Sequence, residues 1–193
     1  MPSESQQRPE IPPAVCIVGK KNSGKTTLVV ALAARLKHDG YRVATIKHGH
    51  HAFESDEPGR DSWRHFNEGE AEASIMCGTG KVALTLRIDG EPDPGELIRD
   101  FYAGRGYDVV LVEGFKHGAL PKIEVFRRGV HAHPIHDPAD PGEHLVAFVT
   151  DDINLQSRAA TAGCFVIPLE RDGGHVPAVA RLVESQFIRR DER

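Results

Sequence analysis

The 193-residue sequence predicts a three-layer α/β fold, in which helices cover both faces of a mostly parallel sheet. Two observations support this prediction. Short apolar runs typical of buried strands alternate with longer stretches that carry apolar residues at helical spacing. Residues 19–26 lie between such a strand and such a helix, and they match the pattern G-x-x-x-x-G-K-[ST]. The polar, proline-rich segment 1–13 is predicted to be a disordered tail, which leaves one domain over 14–188.

The elements nearest the loop follow from apolar spacing and turn residues. An apolar run over 14–18 predicts the first strand, and a helix over 28–36 follows the loop. Gly40 is predicted to end that helix before a strand over 41–47. Polar residues then predict a loop, after which Asp61-Ser62 is expected to cap a short helix.

The rest of the chain continues the alternation of strands and helices. Residues 108–114 have a continuous apolar centre, which is typical of a strand buried on both faces of a parallel sheet. The other predicted elements are strands over 73–77, 81–87, 123–126, 145–150 and 164–167, and helices over 94–103, 154–162 and 176–187. Ligands of such sheets bind at the carboxyl ends of strands, so polar residues there are the candidates for a site.

Composition narrows the classes of function. A formal charge of −4 gives no general reason to bind nucleic acid or an acidic membrane. The three cysteines, Cys16, Cys77 and Cys164, lie far apart in apolar runs, which favours core packing over a thiolate zinc site or a redox pair. No apolar run approaches the ~18 residues that span a bilayer, and no leader is predicted. We expect a cytoplasmic protein without nucleic-acid or membrane partners.

The loop itself has the chemistry of a phosphate site. Its glycines let backbone N–H groups approach phosphate oxygens, and the helix that follows points its positive end at the same anion. Lys25 is expected to reach the β- and γ-phosphates, and the Thr26 hydroxyl to bind Mg²⁺. The pattern therefore predicts a P-loop NTPase fold that binds a nucleoside triphosphate or a closely related phosphate. The predicted nucleotide-binding residues of the loop are Gly19, Asn22, Ser23, Gly24, Lys25, Thr26 and Thr27.

A second polar cluster follows the strand over 41–47 and has three interpretations. It can be a switch-like loop, in which Asp56 or Asp61 organises Mg²⁺ and water while Lys47 offsets phosphate charge. It can be a transition-metal site, because imidazoles are good zinc and nickel ligands. It can also be a solvated loop without chemistry. The histidines concerned are His48, His50 and His51.

Two further acidic residues end predicted strands. Glu113 is expected to hold Mg²⁺, and Gly114 to allow close approach of the γ-phosphate, against the alternative of a strand that simply ends in a surface Glu. Lys25, Asp61 and Glu113 are the predicted catalytic residues, and Thr26, Asp61 and Glu113 the predicted metal ligands. Asp151, at the end of a late strand, is the candidate for recognising the nucleotide base, because a carboxylate can accept from N–H groups on a base edge. A helix N-cap and first turn explain the Asp151-Asp152 pair equally well.

Five motifs together resemble one family. They are the phosphate loop 19–26, K-H-x-H-H over 47–51, D-x-P-G-x-D-S over 56–62, V-E-G-F-K-H over 112–117 and K-I-x-x-F-R over 122–127. This combination resembles the molybdopterin-guanine dinucleotide biosynthesis adaptor (MobB) family, with a similarity that extends over about 15–154. The resemblance implies a cytoplasmic, dimeric GTP-binding protein with weak GTPase activity. It also implies that the protein assists a guanylyltransferase that joins GMP to molybdopterin.

The resemblance sets the expected cofactors and partners. GTP and Mg²⁺ are the implied cofactors, and a molybdenum cofactor guanylyltransferase, molybdopterin and a second copy of the chain are the implied partners. A basic pocket for the molybdopterin phosphate is expected from Lys47, His48, Lys116 and His117. The hairpin over 73–87 is a candidate dimer interface. Two alternatives stay open: a metallochaperone GTPase, and a P-loop small-molecule kinase. The kinase would need an Arg-rich lid over the phosphates, and Arg127-Arg128 is the only adjacent internal arginine pair and is short.

Overall fold

The computed structural model describes residues 9–49 and 56–188. The strands are β1 (Ala14–Val18), β2 (Val43–Lys47), β3 (Ala73–Gly78), β4 (Lys81–Leu86), β5 (Val109–Glu113), β6 (Lys122–Phe126), β7 (Leu145–Thr150) and β8 (Phe165–Pro168). The helices are α1 (Lys25–His38), α2 (Asp61–Asn67), α3 (Pro94–Tyr102), α4 (Ile153–Thr161) and α5 (Val176–Val183), and a short π-helix, Glu184–Ile188, follows α5. Two compact units result. The larger contains 9–48 and 94–188, and the smaller contains 49 and 56–93.

The larger unit is built on a six-stranded sheet with the order β2-β5-β1-β6-β7-β8. Every neighbouring pair in this sheet is parallel. The register places Glu113 of β5 beside Ile17 of β1 and beside Lys47 of β2. The carboxyl ends of three adjacent strands therefore meet at one edge, directly under the loop that follows β1. The predicted α/β fold with a mostly parallel sheet is confirmed.

Helices cover both faces of this sheet. Alternate residues of β1 point to opposite sides, so Val15 and Ile17 pack in the core that contains α1 and α5, while Cys16 packs in the core that contains α3. Leu32 of α1 is fully buried in the first core. Burying each such leucine stabilises the fold by about 1.5–3 kcal/mol, which fixes the helix that begins at the phosphate loop.

The smaller unit contains α2 and the antiparallel pair β3–β4, in which Ile75 lies opposite Leu84. Arg87 joins the helix to the hairpin: its Nε donates to the Ala71 carbonyl at 3.2 Å, and its guanidinium lies 4.4 Å from the centre of the Phe66 ring. Several large apolar side chains of the hairpin region are exposed within the described chain. They are Ile75, Met76, Val82, Leu84, Leu86 and Ile88.

Two local predictions were wrong. Cys77 does not pack in a core, because it lies on β3 of a two-stranded hairpin and is exposed. Cys16 is buried as predicted, and burial raises the pKa of its thiol to about 11 against a smaller lowering by Lys122; Cys164 is half-buried. Asp61-Ser62 does not cap α2. The N-cap is Arg60, and the Ser62 hydroxyl instead donates to the Asp56 carboxylate.

The ends of the chain are only partly described. Residues 1–8 of the predicted tail lie outside the described residues, while the Glu10 carbonyl accepts a hydrogen bond from the Gly104 N–H at 2.8 Å. The single nucleotide-binding domain over 14–188 stays a prediction. Across the residues described, the longest helix is α1 with 14 residues, and no helix has the length and hydropathy required to cross a bilayer.

Candidate functional site

The loop after β1 needs glycine at its first position. Gly19 has φ 147°, and a Cβ there would lie 2.5 Å from the Val125 carbonyl oxygen and 2.6 Å from Ser23 Oγ. Asn22 and Gly24 have φ values of 64° and 103°. Left-handed residues inside such a turn direct successive backbone N–H groups into one concavity, which binds anions.

Helix α1 adds its positive end to the same concavity. It begins at Lys25, immediately after Gly24, a residue with no side chain to cap it, and its first turn carries no carboxylate. The unpaired N–H groups and the partial positive charge at this end favour a bound anion. The predicted nucleotide-binding residues of 19–27 therefore form one continuous turn and first helical turn.

The Lys25 side chain folds back onto the phosphate loop. Its Nζ donates to the Lys20 carbonyl at 2.8 Å. The pKa of Lys25 is lowered, chiefly by burial, with Glu113 acting in the opposite direction and Lys47 lowering it further. A bound phosphate would offset this cost, because it supplies negative charge to an ammonium that has lost part of its water.

Thr26 and Glu113 form the oxygen-rich side of the site. The Thr26 hydroxyl donates to Glu113 Oε1 at 2.7 Å, and Lys47 Nζ lies 3.5 Å from the same oxygen. Glu113 is 8 % exposed. Mg²⁺ in nucleotide sites is held by one or two protein oxygens, with phosphate oxygens and waters completing the shell. The hydroxyl and carboxylate fit this requirement.

The turn after β5 packs against the end of β2. Gly114 has φ 103°, and a Cβ there would lie 2.9 Å from His48 Cβ. The His48 N–H donates to the Glu113 carbonyl at 2.9 Å, and its ring stacks on Phe115 with 4.3 Å between centroids. The role of Phe115 was missed from the sequence, although a buried aromatic inside the polar string G-F-K-H was a signal for it.

The four residues of the predicted molybdopterin-phosphate pocket lie at two strand ends. Lys47 and His48 lie at the edge of the phosphate site, whereas Lys116 and His117 are exposed in the turn after Phe115. The pocket predicted from these four residues stays a prediction. His50 and His51 lie outside the described residues. Over 9–49 and 56–188, no group of three or more His, Cys, Asp or Glu side chains is arranged to hold a metal ion.

Asp56 and Asp61 belong to the smaller unit. Asp56 accepts from the Ser62 hydroxyl and from the Glu57 N–H, and these hydrogen bonds lower the pKa of the Asp56 carboxyl. Asp61 is the first residue of α2. Asp61 as a catalytic residue and metal ligand stays a prediction.

The two carboxylates that follow β7, Asp151 and Asp152, accept hydrogen bonds from different groups. Asp152 is the N-cap of α4, and its carboxylate accepts from the N–H groups of Asn154 and Leu155. Asp151 is exposed at the strand end and accepts from the Arg128 N–H at 2.9 Å. The cap explanation therefore applies to Asp152 and leaves Asp151 as the candidate for base recognition.

The phosphate loop lies between the central strand β1 and helix α1, and an acidic residue ends β5, the neighbour of β1 in the sheet. This combination defines a P-loop NTPase-type protein. Residues 14–151 match the family model of molybdopterin guanine dinucleotide synthesis protein B (MobB). The chain belongs to this MobB family, as its motifs predicted.

Curated relatives agree with this assignment. The chain is 35 % identical over 143 residues to the molybdopterin-guanine dinucleotide biosynthesis adapter protein of Escherichia coli K12, covering 72 % of this chain and 78 % of the relative. It is 37 % identical over 120 residues to the adapter protein of Haemophilus influenzae, covering 60 % of this chain and 64 % of that relative.

The solved structures show the fold. Bacillus subtilis MobB superposes with a TM-score of 0.66 at 24 % identity, covering 91 % of this chain and 98 % of that one. The MobB homolog of Bacillus stearothermophilus gives a TM-score of 0.60 at 23 % identity, covering 90 % and 99 % of the two chains.

Proposed function

We propose that this protein is a GTP-binding adaptor of molybdopterin-guanine dinucleotide biosynthesis with weak Mg²⁺-dependent GTPase activity. In this role it assists a guanylyltransferase that joins GMP to molybdopterin. The observation that carries the proposal is the 2.7 Å contact between the Thr26 hydroxyl and Glu113 at the end of the phosphate loop. This contact supports the proposal because a hydroxyl and a carboxylate are oxygen ligands of the kind that Mg²⁺ prefers, and they lie beside the phosphate loop. Further support comes from the curated relatives of the chain, which are named adapter proteins of this pathway.

Each residue of the site has a defined task in this proposal. The N–H groups of the loop and of the first turn of α1 bind the phosphates, and Lys25 moves from the Lys20 carbonyl to the β- and γ-phosphates. Thr26 and Glu113 would hold Mg²⁺, which neutralises charge on the phosphates. Slow turnover is expected because the turn after Gly114 presents no glutamine that could orient a water.

Guanine preference is assigned to Asp151. Replacing Asp151 by alanine is expected to weaken GTP binding by about 10- to 100-fold while leaving ATP binding unchanged, because a carboxylate accepts from two N–H groups on the guanine edge. The measurement is competition between GTP and ATP for the purified protein. The matched control is Asp152→Ala, which removes the cap of α4 and lowers stability by about 1 kcal/mol without changing base preference. The assignment fails if only Asp152→Ala alters that preference.

The proposal includes a homodimer joined through the hairpin β3–β4. Its support is the row of exposed apolar side chains on that hairpin, since monomers rarely leave a large apolar patch in water. The proposal also includes molybdopterin and the guanylyltransferase as partners and the cytoplasm as the location. The metallochaperone and kinase alternatives gain no supporting contact within the described part of the chain.

A reconstitution assay tests the proposed function. Purified guanylyltransferase, molybdopterin and Mg²⁺-GTP are combined with and without this protein, and formation of the dinucleotide is measured. We expect faster formation with the wild-type protein than with Lys25→Ala. Equal rates with wild type, with Lys25→Ala and without either would contradict the adaptor role.

A further inference from the structure

The connection from β6 to β7 is an unusual part of the larger unit. Residues 127–144 contain none of the helices or strands above, and the segment is longer than the ~12–15 residues that compact domains ordinarily allow without secondary structure. Long segments of this kind are usually either functional, for example as binding loops, or linkers. Several side chains outside the segment contact it. Among them, Asp151 accepts from the Arg128 N–H, Glu124 accepts from the N–H groups of Ile135 and His136, and Arg158 donates to Asp137.

This segment also contacts the phosphate loop. His131 Nε2 lies 2.6 Å from the Lys21 carbonyl oxygen. A carbonyl oxygen only accepts, so the contact assigns the proton to Nε2, which donates. A residue far along the chain thus holds the backbone of the loop.

The contact fixes the direction of a neighbouring N–H. The carbonyl of Lys21 and the N–H of Asn22 belong to one planar trans peptide unit, so they point in opposite directions. Holding the Lys21 oxygen on the His131 side turns the Asn22 N–H to the other side, and the φ of 64° at Asn22 makes this part of the anion-binding turn.

The neighbouring peptide has a different anchor. Lys25 Nζ holds the Lys20 carbonyl at 2.8 Å. In the proposed function Lys25 leaves that oxygen to contact the phosphates, so its hold on the loop ends when the nucleotide binds. His131 contacts no phosphate in this proposal, so its hydrogen bond to the Lys21 carbonyl is expected to remain when the nucleotide binds.

A buried carboxylate sets the position of the segment. Glu124 is 1 % exposed and accepts from the Ile135 N–H at 2.6 Å, the His136 N–H at 3.0 Å and His136 Nδ1 at 2.7 Å. In the sheet it lies beside Val18, the residue before the phosphate loop. Three donors of the segment converge on this one buried side chain, so the segment has a fixed position relative to the loop.

We propose that His131 is a positioning residue of the nucleotide site, which holds the Lys21–Asn22 peptide so that its N–H faces a bound phosphate. This inference rests on the proposed function, because it concerns the affinity of the same loop for GTP.

Three variants at two histidines test the inference. His131→Ala is expected to weaken GTP binding about three- to tenfold, the range for one lost hydrogen bond. His131→Gln is expected to restore most of this affinity, because its amide nitrogen can donate near the position of Nε2. His133→Ala removes an exposed imidazole from the same segment and serves as the matched control. His133→Ala is a surface change and is expected to melt within about 2 °C of wild type, while the two His131 variants, which each alter one hydrogen bond, are expected to melt within about 4 °C.

The outcomes separate the inference from the proposed function when Lys25→Ala is titrated in parallel. If wild type binds GTP and Lys25→Ala does not, but His131→Ala matches wild type, the inference is overturned and the proposed function stands. A His131→Gln variant as weak as His131→Ala also overturns it, since shape rather than the donor would then matter. Wild type without GTP affinity overturns both.

Discussion

Lys25→Ala is expected to weaken GTP binding by about 100-fold or more. The ammonium sits at the start of α1, where burial already lowers its pKa and a bound triphosphate is the natural counter-charge. Losing a charge-assisted contact to two phosphates leaves their negative charge poorly compensated in the loop, which costs about 3 kcal/mol. Calorimetric titration of both proteins with Mg²⁺-GTP measures the effect.

The control for this prediction is another lysine of the same loop. Lys21 contributes its backbone carbonyl to the site, while the residue itself is exposed. Lys21→Ala is therefore expected to change GTP affinity less than about threefold, the effect of a screened surface charge. Equal losses in the two variants would mean that overall charge, and not the position of Lys25, sets the affinity.

Glu113→Gln and Thr26→Ala are each expected to lower GTP hydrolysis by at least about 100-fold, as the loss of an electrostatic stabiliser does in other enzymes. Both changes remove a group from the hydroxyl–carboxylate pair that fits Mg²⁺. The measurement is phosphate release at saturating GTP over a range of Mg²⁺ concentrations, so that weaker metal binding is separated from slower turnover.

Thr26→Ser is the matched control, because serine keeps the hydroxyl that donates to Glu113. It is expected to retain hydrolysis within about threefold of wild type. Full activity in Thr26→Ala, or a Mg²⁺ dependence unchanged in Glu113→Gln, would contradict the role given to this pair.

The fold could be predicted from the sequence because its signals are local. Apolar runs, glycine turns and one phosphate-loop pattern identify the strands and helices, and the rule that ligands bind at strand ends places the candidate residues. Thr26 and Glu113 are 87 residues apart, yet their proximity was predictable. Thr26 belongs to the loop and helix that follow β1, and Glu113 ends β5, the strand beside β1.

Other contacts were not predictable because they depend on how distant segments pack. His131 and Lys21 are 110 residues apart, and no periodicity links an irregular segment to the loop it touches. The Glu124 carboxylate lies on a strand where an apolar residue is usual, but only the structure shows which groups satisfy it. Cys77 was placed in the core because its sequence is apolar, although a two-stranded hairpin leaves it exposed.

The nucleotide site is expected to bind GTP in preference to ATP. The most direct test is a calorimetric titration of the wild-type protein with GTP and then with ATP, both in Mg²⁺. We predict micromolar binding of GTP that excess ATP does not displace. Tighter binding of ATP would contradict the guanine assignment and the adaptor role built on it, and it would favour the small-molecule kinase.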